Sequence, residues 1–232
     1  MRCWRIIVGD VDARARRALF ALLNEDERGR AHRFVRDADR LSFTAAHGGL
    51  RLVLAAVLHA PPAELSFAQG LFGKPALAGH DDVQFNMSHS GGVVLIAVAC
   101  GTPVGADVEA IRPLPDRADI VRRFLHPGEA ADMAGLAEAD AEQAFFRCWS
   151  RKEAVVKALG LGMSLDLGKY RVSCRAGVAP ALLELDGEAA PSEWSLVDLD
   201  RPGPAHVGAV AARRKSLAVS CRTFDPAVAL RD

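Results

Sequence analysis

The feature that most constrains this chain is a repeated order of a long helical pattern and short strands. Apolar residues recur at helical spacing over 38–59 and again over 141–159. Strands are predicted at 3–9, 83–88, 93–99 and 104–109, and near 169–175, 181–185, 194–199, 206–211 and 216–222. We predict an α+β fold of two similar lobes, 1–102 and 103–232, each with a small antiparallel sheet packed against a long helix.

The strand pattern also predicts where polar side chains meet. Glycine-rich turns at 90–92 and 101–103 join the strands at 83–88, 93–99 and 104–109, which is typical of an antiparallel meander. Alternate strands of a meander run in the same direction, so the first and third strands end at the same edge of the sheet. We expect the polar end of the first to lie near the acidic end of the third.

The charge balance excludes broad electrostatic recognition. The chain has 29 Lys plus Arg and 29 Asp plus Glu, a formal net charge of zero. No overall positive field therefore attracts nucleic acid or an anionic membrane. Half of the residues are apolar, which is typical of a globular protein. Any phosphate binding must come from a local cluster of cations.

The cysteines and the amino terminus indicate a reduced compartment. Five cysteines are an odd number, and they form no C-x-x-C pair, which disfavours a disulfide framework and a structural zinc site. The apolar run at the amino terminus is too short for a signal peptide, and no stretch approaches the roughly 18 apolar residues of a membrane span. We expect a cytoplasmic protein.

The strand at 104–109 places two carboxylates on one face. Apolar residues alternate with Gly105, Asp107 and Glu109, so both acids point the same way. Facing carboxylates repel each other unless a cation lies between them, and their hard oxygen atoms suit Mg²⁺. Gly105 on the same face predicts room for a ligand. The alternative is an exposed strand with solvated acids.

The helix at 141–159 carries a charged pair beside an aromatic stripe. Glu153 and Lys157 are one turn apart, and both fall on or beside the apolar stripe that includes Phe145 and Trp149. Charged groups held against a core-facing surface favour a functional site. The alternative is an ordinary i,i+4 ion pair, which stabilises a helix only slightly.

The strand that ends near residue 90 can bind an anion. Asn86, Ser88, His89 and Ser90 precede two glycines, and such an end offers several hydrogen-bond donors. Its expected proximity to the acidic strand favours a shared site. A polar hairpin turn is the alternative.

Two further features are cationic. The turn at 72–75 places Lys74 beside Pro75 on a rigid loop. An Arg-rich segment covers the turn before the first long helix and the start of that helix. It contains Arg28, Arg30, Arg33, Arg36 and Arg40. A phosphate pocket needs such a cluster, whereas a solvated surface is the alternative for both features.

Three enzyme classes are disfavoured because their sequence motifs are absent. The chain contains no G-x-x-x-x-G-K-[ST] loop, no G-x-G-x-x-G fingerprint and no G-x-S-x-G elbow. These absences disfavour a P-loop NTPase, a dinucleotide enzyme and an α/β-hydrolase. Nothing around Cys148 fixes a partner histidine, so we interpret it as a buried structural thiol.

Four motifs in this order resemble the 4′-phosphopantetheinyl transferases. They are Phe-Gly-Lys-Pro at 72–75, Phe-Asn-Met-Ser-His-Ser at 85–90, Val-Gly-Ala-Asp-Val-Glu at 104–109 and Trp-Ser-Arg-Lys-Glu-Ala-x-x-Lys-Ala-x-Gly-x-Gly at 149–162. The chain is similar to the longer single-chain branch typified by the surfactin-synthetase activator, not to the half-length trimeric synthases. The resemblance implies that branch's fold, a monomeric pseudo-dimer of two lobes. Ala106 departs from it, since the family usually has a bulkier aliphatic residue there.

The resemblance implies a transfer enzyme. It would move the 4′-phosphopantetheine arm of coenzyme A to a serine of an acyl, peptidyl or aryl carrier protein and release adenosine 3′,5′-bisphosphate. Mg²⁺, or Mn²⁺ in its place, would be held by Asp107, Glu109 and Glu153. Glu153 would be a metal ligand, the base for the serine, or both, and Lys157 would neutralise or protonate the leaving phosphate.

The resemblance also assigns contacts with the two substrates. Those with coenzyme A are Ser88, His89 and Lys157 at the phosphates, Lys74, Pro75 and Asn86 at the nucleotide, and Arg28 and Arg30 at the 3′-phosphate. Because carrier proteins are acidic, the segment at 112–125 is predicted to meet them with a cationic rim around apolar contacts. The residues of that rim are Arg117, Arg122, Arg123, Phe124 and Leu125.

Two other functions use the same residues. A Mg²⁺-dependent nucleotide or pyrophosphate hydrolase could use the acids and the lysine, and it would consume coenzyme A without a protein acceptor. A non-catalytic module that binds carrier proteins or coenzyme A should have lost one of the three carboxylates, and all three are present.

Overall fold

The computed structural model describes residues 1–185 and 190–230. Its helices are α1 (Ala13–Ala21), α2 (Glu25–Arg33), α3 (Asp37–Leu58), α4 (Arg117–Phe124), α5 (Pro127–Met133), α6 (Glu138–Leu159) and α7 (Pro226–Ala229). Its strands are β1 (Arg2–Ile7), β2 (Phe67–Gln69), β3 (Pro75–Leu77), β4 (Val83–Ser90), β5 (Val93–Cys100), β6 (Val104–Ala110), β7 (Tyr170–Val172), β8 (Leu182–Leu185), β9 (Ser195–Asp198), β10 (His206–Ala212) and β11 (Ser220–Thr223).

A first sheet packs against helix α3. Its strand order is β11-β1-β5-β4, with β1 parallel to β11 and antiparallel to β5. Ile6 of β1 and Ile96 of β5 share a buried cluster with Leu54 of α3. Gly49 lets the helix lie close to the sheet, since a Cβ there would fall 2.3 Å from Ile6 Cδ1. The apolar face predicted for this helix is therefore buried on the sheet.

A second sheet packs against helix α6. Its strand order is β6-β10-β9, and both pairs are antiparallel. Phe145 and Val155 of α6 share a buried cluster with Ala209 and Ala211 of β10. Helices α3 and α6 each have 22 residues. The prediction of an α+β fold with a sheet on a long helix in each lobe is confirmed. The prediction that both sheets are antiparallel is wrong for the first, because β11 returns from the end of the chain to pair with β1 in parallel.

The predicted meander is wrong in its third strand. β5 pairs with β1 and β4, whereas β6 pairs with β10. Val104 and Ala106 of β6 share a buried cluster with Leu95 and Ala97 of β5. The two strands therefore belong to different sheets and contact each other through buried apolar side chains, which removes those side chains from water.

One further chain segment differs from its prediction, and another is found as predicted but pairs with the first sheet. α2 forms where the sequence predicts an Arg-rich turn, because Asn24 and Glu27 make a capping box that starts the helix. The strand predicted at 216–222 is found as β11, and it pairs with β1 of the first sheet. The division into 1–102 and 103–232 stays a prediction.

Helix α3 is long and apolar enough to cross a membrane by length and composition, with a mean hydropathy of 1.5 over its best window. The sequence prediction that no stretch approaches a span is wrong by this measure. Of that window, 67% is buried inside the protein, and burial in the core accounts for the apolar composition.

Candidate active site

Helix α6 lies directly on the acidic strand β6 at Gly105. A Cβ at this position would fall 1.9 Å from the Ala154 carbonyl oxygen and 2.4 Å from the Ala158 nitrogen. Any larger residue would push the helix away from the strand. The prediction that Gly105 leaves room for a ligand is wrong, because the backbone of α6 fills that room. The close contact instead brings Glu153 and Lys157 near the acids of β6.

Asp107 is the centre of the polar cluster at this contact. Its residue is 2% exposed, and its Oδ1 accepts hydrogen bonds from Ser88 Oγ at 2.8 Å and Lys157 Nζ at 2.6 Å. Its Oδ2 is buried without a hydrogen-bond partner among the described residues. An unpaired buried carboxylate oxygen is costly, so this atom marks a position that suits a cation or a donor.

Glu109 and Glu153 are half-buried beside this cluster. Glu109 Oε2 accepts a hydrogen bond from Ser90 Oγ at 2.9 Å. Burial raises the pKa of Glu109, and the Asp107 charge raises it further. Burial also raises the pKa of Glu153, with Lys157 opposing and Asp107 adding to the shift. The repulsion among three carboxylates favours a cation in addition to the Lys157 ammonium.

The polar side chains of β4 form hydrogen bonds with β6. The Ser88 and Ser90 hydroxyls donate to the two acids of β6, and Asn86 Oδ1 accepts a hydrogen bond from the Ala106 nitrogen at 2.9 Å. The polar and acidic strand ends lie close together as expected, but they belong to two different sheets and not to one edge of a single sheet. Because the Asn86 oxygen holds two strands together, its contact with a nucleotide stays a prediction.

His89 is exposed at the end of β4. Partial burial of the ring lowers the pKa of His89, the charges of His47 and Lys157 lower it further, and Asp39 raises it. An imidazole has at least one N–H donor in either protonation state, and this donor can serve a phosphate oxygen.

Lys74 reaches the cluster from the first lobe. Its Nζ donates to the Val104 carbonyl at 3.0 Å and to the Lys157 carbonyl at 2.7 Å. Burial lowers the pKa of Lys74 to about 8. Pro75 follows it at the start of β3 and is exposed. Lys74 is therefore a contact between lobes and not an open surface lysine.

Arg28 and Arg30 are exposed on α2. Arg28 Nη2 donates to the Ala21 carbonyl at 2.6 Å, and the Arg30 guanidinium lies 5.0 Å from the centroid of the Phe43 ring. In residues 1–185 and 190–230, neither arginine is bonded to the acids of β6. Their assignment to the 3′-phosphate stays a prediction.

Sequence reasoning missed a part-buried hydrogen-bond network around one carboxylate, Glu27, between α2 and α3. Glu27 Oε2 accepts a hydrogen bond from Arg51 Nη2 at 3.0 Å, and its Oε1 lies 3.1 Å from His47 Nδ1. Burial alone would raise the pKa of Glu27, but hydrogen bonds with His47 and Asn24 and the charge of Arg51 lower it to about 2. The i,i+4 spacing of His47 and Arg51 was an available signal.

A buried ion pair on α6 was also missed. Lys152 Nζ donates to both carboxylate oxygens of Glu129 at 2.8 Å and to the Tyr170 carbonyl at 2.6 Å. Glu129 also accepts hydrogen bonds from the Val172 and His126 nitrogens. Both charged side chains are 0% exposed. No local pattern links two residues 23 positions apart.

The acids do not form a metal centre by themselves. Across the described part of the chain, no group of three or more Asp, Glu, His or Cys side chains is arranged to hold a metal ion. The Lys157 ammonium already lies on Asp107 Oδ1. The oxygen atoms of Asp107, Glu109 and Glu153 are nevertheless the ligand type that Mg²⁺ prefers.

Two relatives illustrate what the chain is similar to. It is 34% identical to the 4′-phosphopantetheinyl transferase HetI of a Nostoc species, over 84% of this chain and 81% of HetI. It is 27% identical to the 4′-phosphopantetheinyl transferase Sfp of Bacillus subtilis, over 66% of each chain. The crystal structure of a Thermotoga maritima holo-[acyl-carrier-protein] synthase aligns with a TM-score of 0.37 and 18% identity, over 49% of this chain and 64% of that one.

Family profiles match both halves of the chain. The profile described as "4′-phosphopantetheinyl transferase, N-terminal" matches residues 13–101, and that described as "4′-phosphopantetheinyl transferase superfamily" matches residues 103–212. Together with the identity to HetI over most of both chains, these matches show that the chain belongs to the 4′-phosphopantetheinyl transferases.

Proposed function

We propose that this enzyme transfers the 4′-phosphopantetheine arm of coenzyme A to a serine hydroxyl of an acyl, peptidyl or aryl carrier protein, with release of adenosine 3′,5′-bisphosphate. The observation that carries the proposal is the cluster of acids beside Lys157, where α6 contacts β6. Such a cluster suits phosphoryl transfer, because carboxylates can hold a divalent cation or accept a proton while a lysine neutralises the leaving phosphate.

Asp107, Glu109 and Glu153 are the residues that would hold Mg²⁺ or Mn²⁺. Their chemistry fits the ion, since Asp107 Oδ2 is buried without a hydrogen-bond partner among the described residues. Burial raises the pKa of both Glu109 and Glu153, and the Asp107 charge adds to each shift, so a cation held among the three carboxylates would stabilise their charged forms. When bound, the ion would polarise the pyrophosphate and neutralise charge on the leaving phosphate.

Glu153 and Lys157 are proposed to move the protons of the reaction. Glu153 takes the proton of the acceptor serine, whose oxygen forms a bond to the phosphorus next to the pantetheine. The bond from that phosphorus to the bridging oxygen breaks, and the electron pair leaves with the adenosine bisphosphate. Lys157 neutralises or protonates that oxygen. Burial raises the pKa of Glu153, which makes its ionised form a stronger base.

The first lobe is proposed to bind coenzyme A. Ser88 is hydrogen-bonded within the acid cluster and His89 follows it on β4, and both side chains suit the pyrophosphate. The exposed guanidiniums of Arg28 and Arg30 suit the 3′-phosphate. Because the first lobe supplies these groups and the second lobe supplies the acids, one chain contains a complete set. We therefore propose that the enzyme acts as a monomer. We also propose a cytoplasmic location, which the cysteine pattern favours.

Helix α4 is proposed to contact the carrier protein. Arg122 and Arg123 are exposed, and Phe124 beside them is 46% exposed. Cations around an apolar side chain suit an acidic partner. Leu125 was predicted to join this surface, and that prediction is wrong, because Leu125 is buried in the core of the second lobe.

A single incubation tests the proposed reaction. Purified protein is mixed with coenzyme A, Mg²⁺ and a panel of apo-carrier proteins, and each carrier is weighed by mass spectrometry. We expect the mass of one arm to be added to a carrier, with an equal amount of adenosine 3′,5′-bisphosphate released. A carrier with its acceptor serine changed to alanine is the control.

The same incubation separates the two alternatives. A pyrophosphate hydrolase would consume coenzyme A without any carrier. A non-catalytic binding module would leave both coenzyme A and the carrier unchanged. Either result contradicts the proposed transfer.

A further inference from the structure

The turn at 72–75 reaches across from the first lobe to the two elements that carry the acid cluster. Lys74 Nζ donates one hydrogen bond to the Val104 carbonyl, at the start of β6, and another to the Lys157 carbonyl, near the end of α6. Lys74 is part-buried in this position. One ammonium thus joins β6 to α6 at the end opposite to Glu109.

The end of α6 lies beside this turn. Gly160, with a φ angle of +73°, ends the helix in the left-handed region, and Gly162 two residues later has a φ of +54°. Lys74 Cδ lies 3.5 Å from the Cβ position of Gly160, and the Phe72 carbonyl oxygen lies 3.6 Å from that of Gly162. A Cβ added at either glycine would therefore reach ordinary van der Waals contact with the turn, so this turn of the other lobe lies beside the end of α6.

The hydrogen bond from Lys74 to the Lys157 carbonyl stabilises the end of α6 for two reasons. That carbonyl belongs to the last turn of α6, where no backbone N–H of the helix is available to it. A cation at a helix C-terminus is also favoured by the helix dipole. Holding this turn fixes the backbone from which the Lys157 side chain extends to Asp107, and the bond to Val104 fixes the strand that carries Asp107.

We propose that Lys74 is a positioning residue, whose ammonium holds the last turn of α6 against β6 so that Lys157 stays paired with Asp107. This inference rests on the proposed function for its link to catalysis. It differs from the sequence prediction that Lys74 binds the nucleotide, since two of the three ammonium donors lie on backbone carbonyls.

The variant K74M tests the proposal, since methionine keeps an unbranched stem and removes the ammonium. Hydrogen exchange is measured first, on protein free of coenzyme A. We expect faster amide exchange at 156–162 in K74M than in the wild type. K215M, which changes an exposed lysine, is the matched control and should exchange like the wild type. Unchanged exchange at 156–162 in K74M would overturn the proposal.

Kinetics then separate positioning from binding. We expect K74M to lower kcat by about 10- to 100-fold, the range for a small misplacement of reacting groups. The KM and the Kd for coenzyme A should stay within about twofold, because no ground-state contact is lost. A large rise in the Kd for coenzyme A at an unchanged kcat would assign Lys74 to the nucleotide instead.

Two safeguards keep the test decisive. If K74M does not fold, K74Q takes its place, since glutamine keeps donors without the charge and the same direction is expected. If the wild type modifies no carrier protein, the proposed function fails, whereas the exchange experiment still decides whether Lys74 holds the end of α6.

Discussion

Helix α6 pairs two lysines with carboxylates, and the pairs differ in how completely they are bonded. Lys152 and Glu129 are both 0% exposed, and each carboxylate oxygen has hydrogen-bond donors. The Lys157 side chain is 27% exposed, and Asp107 keeps one oxygen without a partner among the described residues. A complete buried pair fixes the position of a helix, whereas an incomplete pair at a surface can still take a ligand.

Removing the carboxylate of the incomplete pair should have the largest effect. We expect Asp107→Ala to lower the rate of arm transfer by about 10³-fold or more, since charge stabilisation by a metal ion is worth several kcal/mol. The melting temperature should change little, because Lys157 can turn to solvent and the repulsion on Glu109 and Glu153 is relieved. Excess chelator should also stop the wild type, and full turnover in chelator would contradict the metal site.

Glu153→Gln separates a catalytic carboxylate from one that only pairs along a helix. If Glu153 is the base or a metal ligand, kcat should fall by about 10²–10⁴-fold. If it only pairs with Lys157, stability should fall by about 0.2–0.5 kcal/mol and transfer should be unchanged. Single-turnover rates with saturating substrates decide between them, and a variant that keeps more than about a tenth of the rate contradicts the base role.

Breaking the complete pair should affect folding and not chemistry. We expect Lys152→Met to lower the free energy of unfolding by about 3–5 kcal/mol, because Glu129 is left buried and charged without its cation. Urea denaturation measures this loss, and transfer per folded molecule should stay near the wild type. The double variant K152M/E129L is the control and should recover part of the stability. A loss of transfer that exceeds the unfolded fraction would refute the contrast between the pairs.

Glu27 extends the comparison to a bonded carboxylate in the first lobe. The pKa of Glu27 is lowered from 4.5 to about 2. The stability that its ionised form adds to the folded protein is therefore complete above pH 4.5 and is lost as the pH falls towards 2. Glu27→Gln should therefore cost about 3 kcal/mol of unfolding free energy at neutral pH, and less at pH 3. Asp37→Asn, at an exposed pair with Arg40, is the control. A cost that does not depend on pH would contradict the shift.

A change outside both pairs should have the smallest effect. Reversing the charges of Arg122 and Arg123 on α4 should raise the KM for the carrier protein by about tenfold, since an acidic partner loses complementary charge. The KM for coenzyme A should stay nearly unchanged. Steady-state kinetics with each substrate varied in turn measure both values. An equal effect on both would place these arginines elsewhere than at the carrier.

The elements that were predicted correctly follow local patterns. The period-2 alternation placed Asp107 and Glu109 on one face of a strand, and the one-turn spacing placed Glu153 near Lys157 on a helix. Both patterns need only a few neighbouring residues. The capping box of Asn24 and Glu27 was equally local, so α2 could have been predicted from the same kind of reasoning.

From the sequence alone come the groups predicted to carry the chemistry and the resemblance to the family that the comparisons confirm. Only the tertiary structure decided how those groups are held. It set the α6 backbone, not a ligand, against Gly105, and it joined Lys74 to the Lys157 carbonyl across 83 positions and Lys152 to Glu129 across 23. Such contacts depend on how distant apolar faces pack against one another, and no periodicity within one segment encodes them.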